Sequence, residues 1–209
     1  MIKVHHLAFS RSTRILWLLE ELEQPYEIVA YARDPQTIRA PEALAAAHPL
    51  GKAPVIEDGE LTLAESGAVV EYLIERYGHG RLAPEGRGAA WASYIEWLHY
   101  AEGSAMMPLL MTLLGGMTGG LPPGLKGFLE PEVRKHLDYV ASAVTDGGYL
   151  LGDLFSGADI QMFYVLEVGR MGRMLGGHPA LEAYLQRLHA RPAFARALER
   201  GGPVTLPLG

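Results

Sequence analysis

The 209-residue chain contains no cysteine. Disulfide bonds, thiolate metal sites and every reaction that uses a protein thiol are therefore excluded. A reducing cytoplasm suits a chain of this kind, and we expect a cytoplasmic protein. The first ten residues, MIKVHHLAFS, agree with this expectation because they lack the long apolar core of a secretory signal peptide.

Long apolar runs and clusters of basic residues are also missing. The longest apolar stretch, Met106–Met117, is short for a membrane span and is interrupted by Pro108 and two glycines. The chain has 18 Lys and Arg against 24 Asp and Glu, a formal net charge of −6, without any basic run. We therefore expect neither a membrane nor a nucleic acid as a partner.

The eight histidines do not have the spacing of a metal site. His5 and His6 are adjacent in a predicted strand, so their side chains point to opposite faces and cannot share one ion. No set of His, Asp and Glu has the spacing of zinc ligands. We expect no bound metal.

The first 78 residues alternate between strand and helix patterns. The strand-like runs are IKVHHL at 2–7 and YEIVAY at 26–31, and Asp58-Gly59 is a strong hairpin signal between two more. The order βαβαββα predicts a small mixed sheet, with a parallel pair from the first crossover and an antiparallel hairpin at one edge. The remaining predicted elements are a helix from about Arg11, a weaker helix at Pro41–Ala47, strands at Val55–Glu57 and Leu61–Leu63, and a helix at Glu65–Tyr77.

A segment rich in Gly and Pro, GHGRLAPEGRG at 78–88, is the predicted domain boundary. No convincing strand follows it. The motif SGAD at 156–159 has the spacing of a helix capping box. Helical patterns cover Ala89–Leu114, Leu125–Thr145, Gly157–Leu175, Pro179–Arg191 and Ala193–Arg200.

Hydroxyl and guanidinium groups are concentrated at the start of the first helix, in the sequence SRSTR at 10–14. Two interpretations compete. Ser10 and Ser12 are suitable helix caps, because a serine oxygen accepts hydrogen bonds from the first amides of a helix. The same hydroxyls at a helix N-terminus also favour a bound anion.

The order of these elements and three motifs resemble the glutathione S-transferase superfamily. The motifs are SRSTRILWLLEELEQPYEI at 10–28, HPLGKAPVIEDGELTLAESGAVVEYL at 48–73 and FSGADIQMF at 155–163. The resemblance covers essentially the whole chain and is nearest to a bacterial and fungal branch with a Ser-Arg pair before the first helix. It implies an α/β N-terminal thioredoxin-like domain at 1–78, a linker at 79–88, and an all-α C-terminal domain at 89–209 that contributes the electrophile pocket.

The resemblance also assigns roles to residues of the first domain. Ser10, or alternatively Ser12, would donate a hydrogen bond to the glutathione thiolate, and capping alone is the third possibility. Ser66, interpreted as the N-cap of a helix and supported by Glu65, would bind the γ-glutamyl carboxylate. In the resembled fold Pro54 is preceded by a cis peptide, which would leave the backbone of Ala53 available to the peptide ligand. Lys52 would face the glycine carboxylate, and Arg39 could share that role.

In the second domain, Met106, Met107 and Met111 could form a soft surface for varied electrophiles, although helix packing explains most such residues. Glu102 would reach the glutathione amine of a partner subunit, unless it is simply a solvated side chain. Aromatic residues on more than one side of the first helix of this domain favour a homodimer.

The leading hypothesis is a glutathione transferase that acts on small apolar electrophiles, with glutathione as co-substrate. The alternatives are a glutathione-dependent peroxidase at the same site and a weakly catalytic glutathione-binding module.

Overall fold

Four strands form one mixed sheet in the computed structural model, which describes residues 1–144 and 147–204. The strand order is β2-β1-β3-β4. β1 pairs in parallel with β2, and β3 is antiparallel to β4, as the sequence predicts. β3 is also antiparallel to β1. The strands are β1 (Ile2–Leu7), β2 (Tyr26–Tyr31), β3 (Val55–Asp58) and β4 (Leu61–Ala64).

Two helices accompany the sheet, α1 (Thr13–Glu21) and α2 (Ser66–Tyr77). Their apolar faces are buried, with Ile15 and Leu73 fully excluded from solvent. The turn between β3 and β4 contains Gly59 in the left-handed conformation, with φ of +64°. This conformation is the reason that Asp-Gly favours a tight hairpin.

Two helix predictions for this region need correction. The predicted helix at Pro41–Ala47 is a 3₁₀ turn at Glu42–Ala46 that buries only Leu44. A segment with one buried side chain has too little buried surface to stabilise a regular α-helix. The first helix begins at Thr13 rather than near Arg11, because residues 10–12 form a turn before it.

Contacts divide the chain into two units, of which the first joins Met1–Arg81 to residues 190–204. This unit contains the sheet and also α8 (Pro192–Gly201), which packs against α1. Trp17 and Phe194 meet edge to face, with their ring centroids 5.1 Å apart. Arg191 forms a two-pronged ion pair with Glu21, with distances of 2.6 and 2.9 Å.

The second unit, Leu82–His189, is helical. The continuous helix predicted at Ala89–Leu114 consists of α3 (Ala89–Tyr100), a π-helical turn at Ala101–Ala105, and α4 (Met106–Met117). A π turn widens the helix by one residue and so shifts the face that the following residues present, a change that an apolar periodicity of 3.6 does not reveal.

The other helices of this unit lie close to their predicted bounds and are α5 (Pro123–Ala143), α6 (Gly157–Met171) and α7 (Pro179–His189). The start of α5 was predicted two residues late, although Pro123 is suited to a first helical turn. The predicted end at Thr145 lies outside the described residues. α6 ends at Met171 rather than Leu175 because Gly172 is a poor helix former. The capping box at Ser156 and Asp159 is confirmed.

In the described ranges, 1–144 and 147–204, no helix combines the length and apolarity that crossing a membrane requires.

Candidate functional site

Two of the three serines singled out by the sequence, Ser10 and Ser66, each follow a residue with unusual backbone geometry. Phe9 precedes Ser10 with φ of +57°, and Glu65 precedes Ser66 with φ of +70°. Left-handed conformations are uncommon for residues other than glycine and are frequent at functional sites. The junctions that precede α1 and α2 therefore each contain a strained residue immediately before a candidate ligand-binding serine.

Arg33 holds the first of these junctions in place. It follows β2, and its Nε and Nη2 atoms donate hydrogen bonds to the carbonyl oxygens of Ala8 and Phe9, at 3.0 and 2.7 Å. The sequence analysis did not identify Arg33, since 24 residues separate it from Phe9 and no local pattern connects them.

Ser10 and Ser12 lie side by side, with their Oγ atoms 2.7 Å apart. Ser12 is fully buried, and its Oγ atom also lies 2.8 Å from His6 Nδ1 and accepts the Leu7 amide at 3.2 Å. Ser10 is 8% exposed, and its Oγ atom accepts the Ser12 amide at 3.2 Å. Of the two hydroxyls, that of Ser12 has the more numerous contacts within the protein.

Plain helix capping does not describe Ser12. It occupies the N-cap position of α1, but its side chain makes no capping hydrogen bond, and its backbone is already helical with φ of −67°. A capping serine usually has an extended backbone that turns its oxygen towards the helix amides. The Ser12 oxygen points instead towards β1.

His6 determines the direction of the hydrogen bonds around Ser12. Its Nε2 atom lies 2.8 Å from the Gly201 carbonyl oxygen, which only accepts, so Nε2 holds a proton. Burial lowers the pKa of His6, while the bond to Gly201 acts in the opposite direction. In the neutral ring Nδ1 is therefore the acceptor, and the Ser12 hydroxyl donates to it at 2.8 Å rather than to the more distant Leu7 carbonyl oxygen at 3.2 Å.

The predicted N-cap at Ser66 is off by one position. Glu65 is the N-cap and Ser66 is the first helical residue, because the turn in the chain occurs at the left-handed Glu65. Ser66 is buried, and its Oγ atom accepts a hydrogen bond of 3.0 Å from Arg14 Nη1. The side chain of Arg14 is fully buried, so a guanidinium from α1 lies directly at the N-terminus of α2.

Arg14 belongs to the candidate site, yet the sequence analysis noted it only as part of the basic and hydroxyl-rich start of the first helix. A buried cation beside a helix N-terminus adds to the positive potential that the helix dipole creates there. This junction can therefore bind a carboxylate.

The segment before β3 has the geometry implied by the resemblance. The Ala53–Pro54 peptide is cis. Ala53 lies before the first ladder pair of the hairpin, which begins at Val55. The side chain of Lys52 is exposed. Arg39 is also exposed, and its carbonyl oxygen accepts the Asp34 amide at 2.9 Å.

Glu102 belongs to the helical unit, in the π turn between α3 and α4, and is half-buried. The three methionines proposed as a soft surface differ in their exposure. Met106 is buried, whereas Met107 and Met111 are 52% and 38% exposed. Only the latter two are available to a ligand. Among the described residues, no cluster of three or more His, Asp or Glu side chains could hold a metal ion.

Comparison with known proteins finds matches to two family models. They are "Glutathione S-transferase, N-terminal domain", over residues 1–75, and "Glutathione S-transferase, C-terminal domain", over residues 124–201. Glutathione S-transferase 3 of Schizosaccharomyces pombe is 33% identical, over 100% of this chain and 91% of the relative. Glutathione S-transferase 1 of Saccharomyces cerevisiae is 31% identical, over 96% and 95%.

Solved structures show the same fold. A glutathione S-transferase from Actinobacillus pleuropneumoniae superposes with a TM-score of 0.89 at 33% identity, over 96% of this chain and 93% of that one. A family member from Pseudomonas fluorescens, solved with two glutathione molecules bound, has a TM-score of 0.78 at 23% identity, over 95% and 92%.

Proposed function

The chain belongs to the glutathione S-transferase family, and from this premise we propose that it joins the thiolate of glutathione to small apolar electrophiles. It is a glutathione transferase, with glutathione as its co-substrate. The observation that carries the proposal is the paired hydroxyl cluster at the start of α1, where Ser10 lies beside Ser12 at 2.7 Å.

Conjugation requires the thiolate, because the thiol is a poor nucleophile. Lowering a thiol pKa from about 8.5 by two units requires roughly 2.7 kcal/mol of preference for the anion. A helix N-terminus contributes up to about 2 kcal/mol in a partly buried site. A hydrogen bond to a charged group contributes about 1.5–3 kcal/mol. One hydroxyl at the start of α1 is therefore sufficient.

Ser10 is the hydroxyl that we assign to the sulfur. The Ser12 oxygen is fully buried and already engaged with His6 and Leu7, so no free direction remains for a ligand. Ser10 is more exposed, and its hydroxyl contacts the Ser12 hydroxyl. Ser12 then acts behind Ser10 rather than on the sulfur.

The two carboxylates of glutathione have separate proposed sites. The γ-glutamyl carboxylate binds at the N-terminus of α2, where Ser66 and Arg14 meet and Glu65 forms the turn. The backbone of Ala53 pairs with the extended peptide, next to cis-Pro54. Lys52 faces the glycine carboxylate, with Arg39 as a second exposed cation.

The second domain, 89–209 in this proposal, contributes the electrophile pocket. Met107 and Met111 are exposed on α4, and flexible thioethers adapt to substrates of different shape. The proposed glutathione-binding domain is 1–78 and the linker is 79–88.

The active unit is proposed to be a homodimer in which Glu102 contacts the glutathione of the partner subunit. The support is exposed apolar surface in the helical unit, at Leu114, Met117 and Phe128, which a monomer would leave in water. The aromatic residues of α3 no longer support a dimer, because they pack within the unit. Trp97 stacks on Tyr139 at 5.0 Å, and the Tyr100 hydroxyl lies 2.6 Å from His136 Nδ1.

The cytoplasm is the proposed location and detoxification the proposed role. The fungal relatives and the Ser10-Arg11 pair support membership of the bacterial and fungal branch.

Replacement of Ser10 tests the function. In Ser10→Ala the pKa of bound glutathione should rise and turnover should fall about 10- to 1000-fold, the scale of losing one donor to a developing charge. The affinity for glutathione should change far less. The measurements are thiolate absorbance in the ultraviolet and turnover with a chloronitrobenzene. A silent Ser10→Ala together with a large loss in Ser12→Ala would contradict the assignment.

A parallel assay with cumene hydroperoxide separates the transferase from the peroxidase. Higher activity with the hydroperoxide would identify peroxide reduction as the main reaction. Glutathione binding without turnover in either assay would indicate a binding module.

A further inference from the structure

A continuous row of hydrogen-bonding groups leads from the proposed sulfur position into the core of the sheet unit. It consists of Ser10 Oγ, Ser12 Oγ and His6 Nδ1, with separations of 2.7 and 2.8 Å, and we call it the hydroxyl chain. We propose that His6 takes up the thiol proton of glutathione through Ser12 and Ser10, so that the thiolate forms without releasing this proton to water. The inference rests on the proposed function, since it requires the sulfur to lie at Ser10.

Before the thiol ionises, the proton positions follow from the acceptors. The Gly201 carbonyl takes the Nε2 proton of His6, so the Ser12 hydroxyl donates to Nδ1. The proton between the two serines must then come from Ser10, which donates to Ser12. The Ser10 oxygen is left as the acceptor for the thiol proton, and every short contact contains one hydrogen.

After the thiol ionises, Ser10 must donate to the sulfur anion. If His6 remained neutral, Ser12 would still donate to His6, and no hydrogen would lie between two serine oxygens 2.7 Å apart. Two oxygen atoms at this distance without a hydrogen repel each other. Every short contact of the hydroxyl chain contains a hydrogen again only when His6 Nδ1 is protonated and donates to Ser12, and Ser12 donates to Ser10.

The transfer shifts three protons by one position each, and its net effect is to move one proton from the thiol to His6. The S–H bond breaks and an O–H bond forms on Ser10, while Ser10 passes its own proton to Ser12. Ser12 in turn passes its proton to His6 Nδ1. The net products are the thiolate and an imidazolium, so charge is conserved within the protein.

Backbone groups stabilise the hydroxyl chain both before and after the thiol ionises. The amides of Leu7 and Ser12 donate to the oxygens of Ser12 and Ser10, respectively, whichever way the hydroxyl protons point. The Gly201 carbonyl belongs to the last residue of α8, where the helix dipole favours a cation. Burial disfavours an isolated imidazolium, but the thiolate that forms with it is an opposite charge that compensates. His6 is thus a positioning residue that also stores the proton.

Proton counting on the wild-type protein is the primary test. Calorimetry of glutathione binding in buffers of different ionisation enthalpy measures proton release, and ultraviolet absorbance measures the thiolate formed. S-methylglutathione, which has no ionisable thiol, gives the background from the other groups. We expect a full thiolate signal with nearly the same proton release for both ligands. An excess release from glutathione equal to the thiolate formed would overturn the proposal.

Nitrogen NMR of the histidine ring gives a direct second measurement. On binding glutathione, the Nδ1 resonance of His6 should move from the unprotonated to the protonated position, and S-methylglutathione should leave it unchanged. A His6 ring that stays neutral while the thiolate forms would also overturn the proposal.

The variant His6→Asn keeps an acceptor for Ser12 but cannot store a proton. We expect turnover to fall about 100-fold, the lower range for loss of acid–base assistance, and any remaining thiolate to be matched by proton release. His5→Asn is the matched control. His5 is the neighbouring buried histidine of β1 and contacts Tyr31 and Glu57 instead. If His6→Asn does not fold, the two wild-type measurements still decide the question.

Failure of the proposal is distinguishable from failure of the function. If Ser10→Ala abolishes the thiolate signal but wild-type protein releases the full proton, the Ser10 assignment stands and proton storage on His6 is wrong. If Ser10→Ala leaves the thiolate signal intact, the sulfur does not lie at Ser10. The Ser10 assignment and proton storage on His6 are then both wrong.

Discussion

At the scale of single residues, the candidate site separates groups that ionise the sulfur from groups that bind the rest of glutathione. We assign Ser66 to the second kind, because its partner Arg14 and the N-terminus of α2 would attract a carboxylate that is charged throughout the reaction. An interaction that is equal in the ground state and the transition state affects binding but not turnover.

Ser66→Ala should therefore raise the Michaelis constant for glutathione and leave the turnover number nearly unchanged. Ser66→Thr, which keeps the hydroxyl, is the matched control and should retain most of the affinity. Calorimetry with each folded variant gives the binding constants. Normal glutathione affinity in Ser66→Ala would remove this residue from the proposed site.

Ser12 has more buried hydrogen-bond contacts than Ser10. Its removal leaves the buried Leu7 amide and His6 Nδ1 without the oxygen that they contact. We expect Ser12→Ala to lower the free energy of unfolding by about 1–3 kcal/mol, the cost of unsatisfied buried groups. Urea denaturation measures this loss.

The neighbouring Thr13 offers a matched control for Ser12. Its hydroxyl is buried at the start of α1 and has no hydrogen-bond partner among the described residues. Thr13→Val should cost almost nothing, since no hydrogen bond is lost and a similar shape is kept. Equal destabilisation of both variants would show that the Ser12 contacts add no stability.

At the scale of secondary-structure elements, α8 is attached to α1 by charged as well as aromatic contacts. The Glu20 carboxylate accepts hydrogen bonds from Arg196 at 2.8 Å, Arg200 at 3.0 Å and the Tyr26 hydroxyl at 2.8 Å. Burial acts to raise the pKa of Glu20, but the hydrogen bonds from Arg196, Tyr26 and Arg200 outweigh it, so the pKa lies below its usual value of 4.5.

A depressed carboxyl pKa predicts how stability depends on pH. Ionised Glu20 stabilises the fold at pH above the unfolded value of 4.5, and this contribution is lost as the pH falls through the lower folded value. Glu20→Gln should thus be less stable than the wild type at neutral pH. On acidification the wild type should lose more stability than the variant, so the difference between them should shrink. Glu23→Gln, at an exposed position after α1, is the control. Parallel pH profiles of Glu20→Gln and the wild type in urea denaturation would refute this role.

At the scale of the whole molecule, the proposed homodimer is tested by mass and by Glu102. Sedimentation at micromolar concentration should give about twice the chain mass of 22.8 kDa. A fully active 22.8 kDa species would contradict the dimer.

Glu102→Gln should weaken glutathione binding and leave the dimer and the thiolate pKa nearly intact, because it removes only a charge facing the glutathione amine. Glu130→Gln, on the exposed surface of α5, is the control and should bind glutathione normally. Normal binding by a dimeric Glu102→Gln would remove the contact between subunits but not the dimer.

Local patterns in the sequence determined most of the architecture. Short β-type runs identify β1 and β2, Asp58-Gly59 identifies the hairpin, and Ser156 with Asp159 identifies the start of α6. Each signal depends on neighbours within a few positions, so a single sequence contains it in full. The predictions failed where packing decides, as in the 3₁₀ turn at Glu42–Ala46 and the π turn at Ala101–Ala105.

Only the tertiary structure distinguished Ser10 from Ser12. Both are serines at the same helix start, and the difference arises from His6, whose tautomer depends on a carbonyl 195 residues away at Gly201. Arg14 reaches Ser66 across 52 residues, and Arg33 holds the carbonyl of Phe9 across 24. Hydrogen bonds between distant residues form only after the apolar core has brought their elements together, and no spacing in the sequence encodes these partnerships.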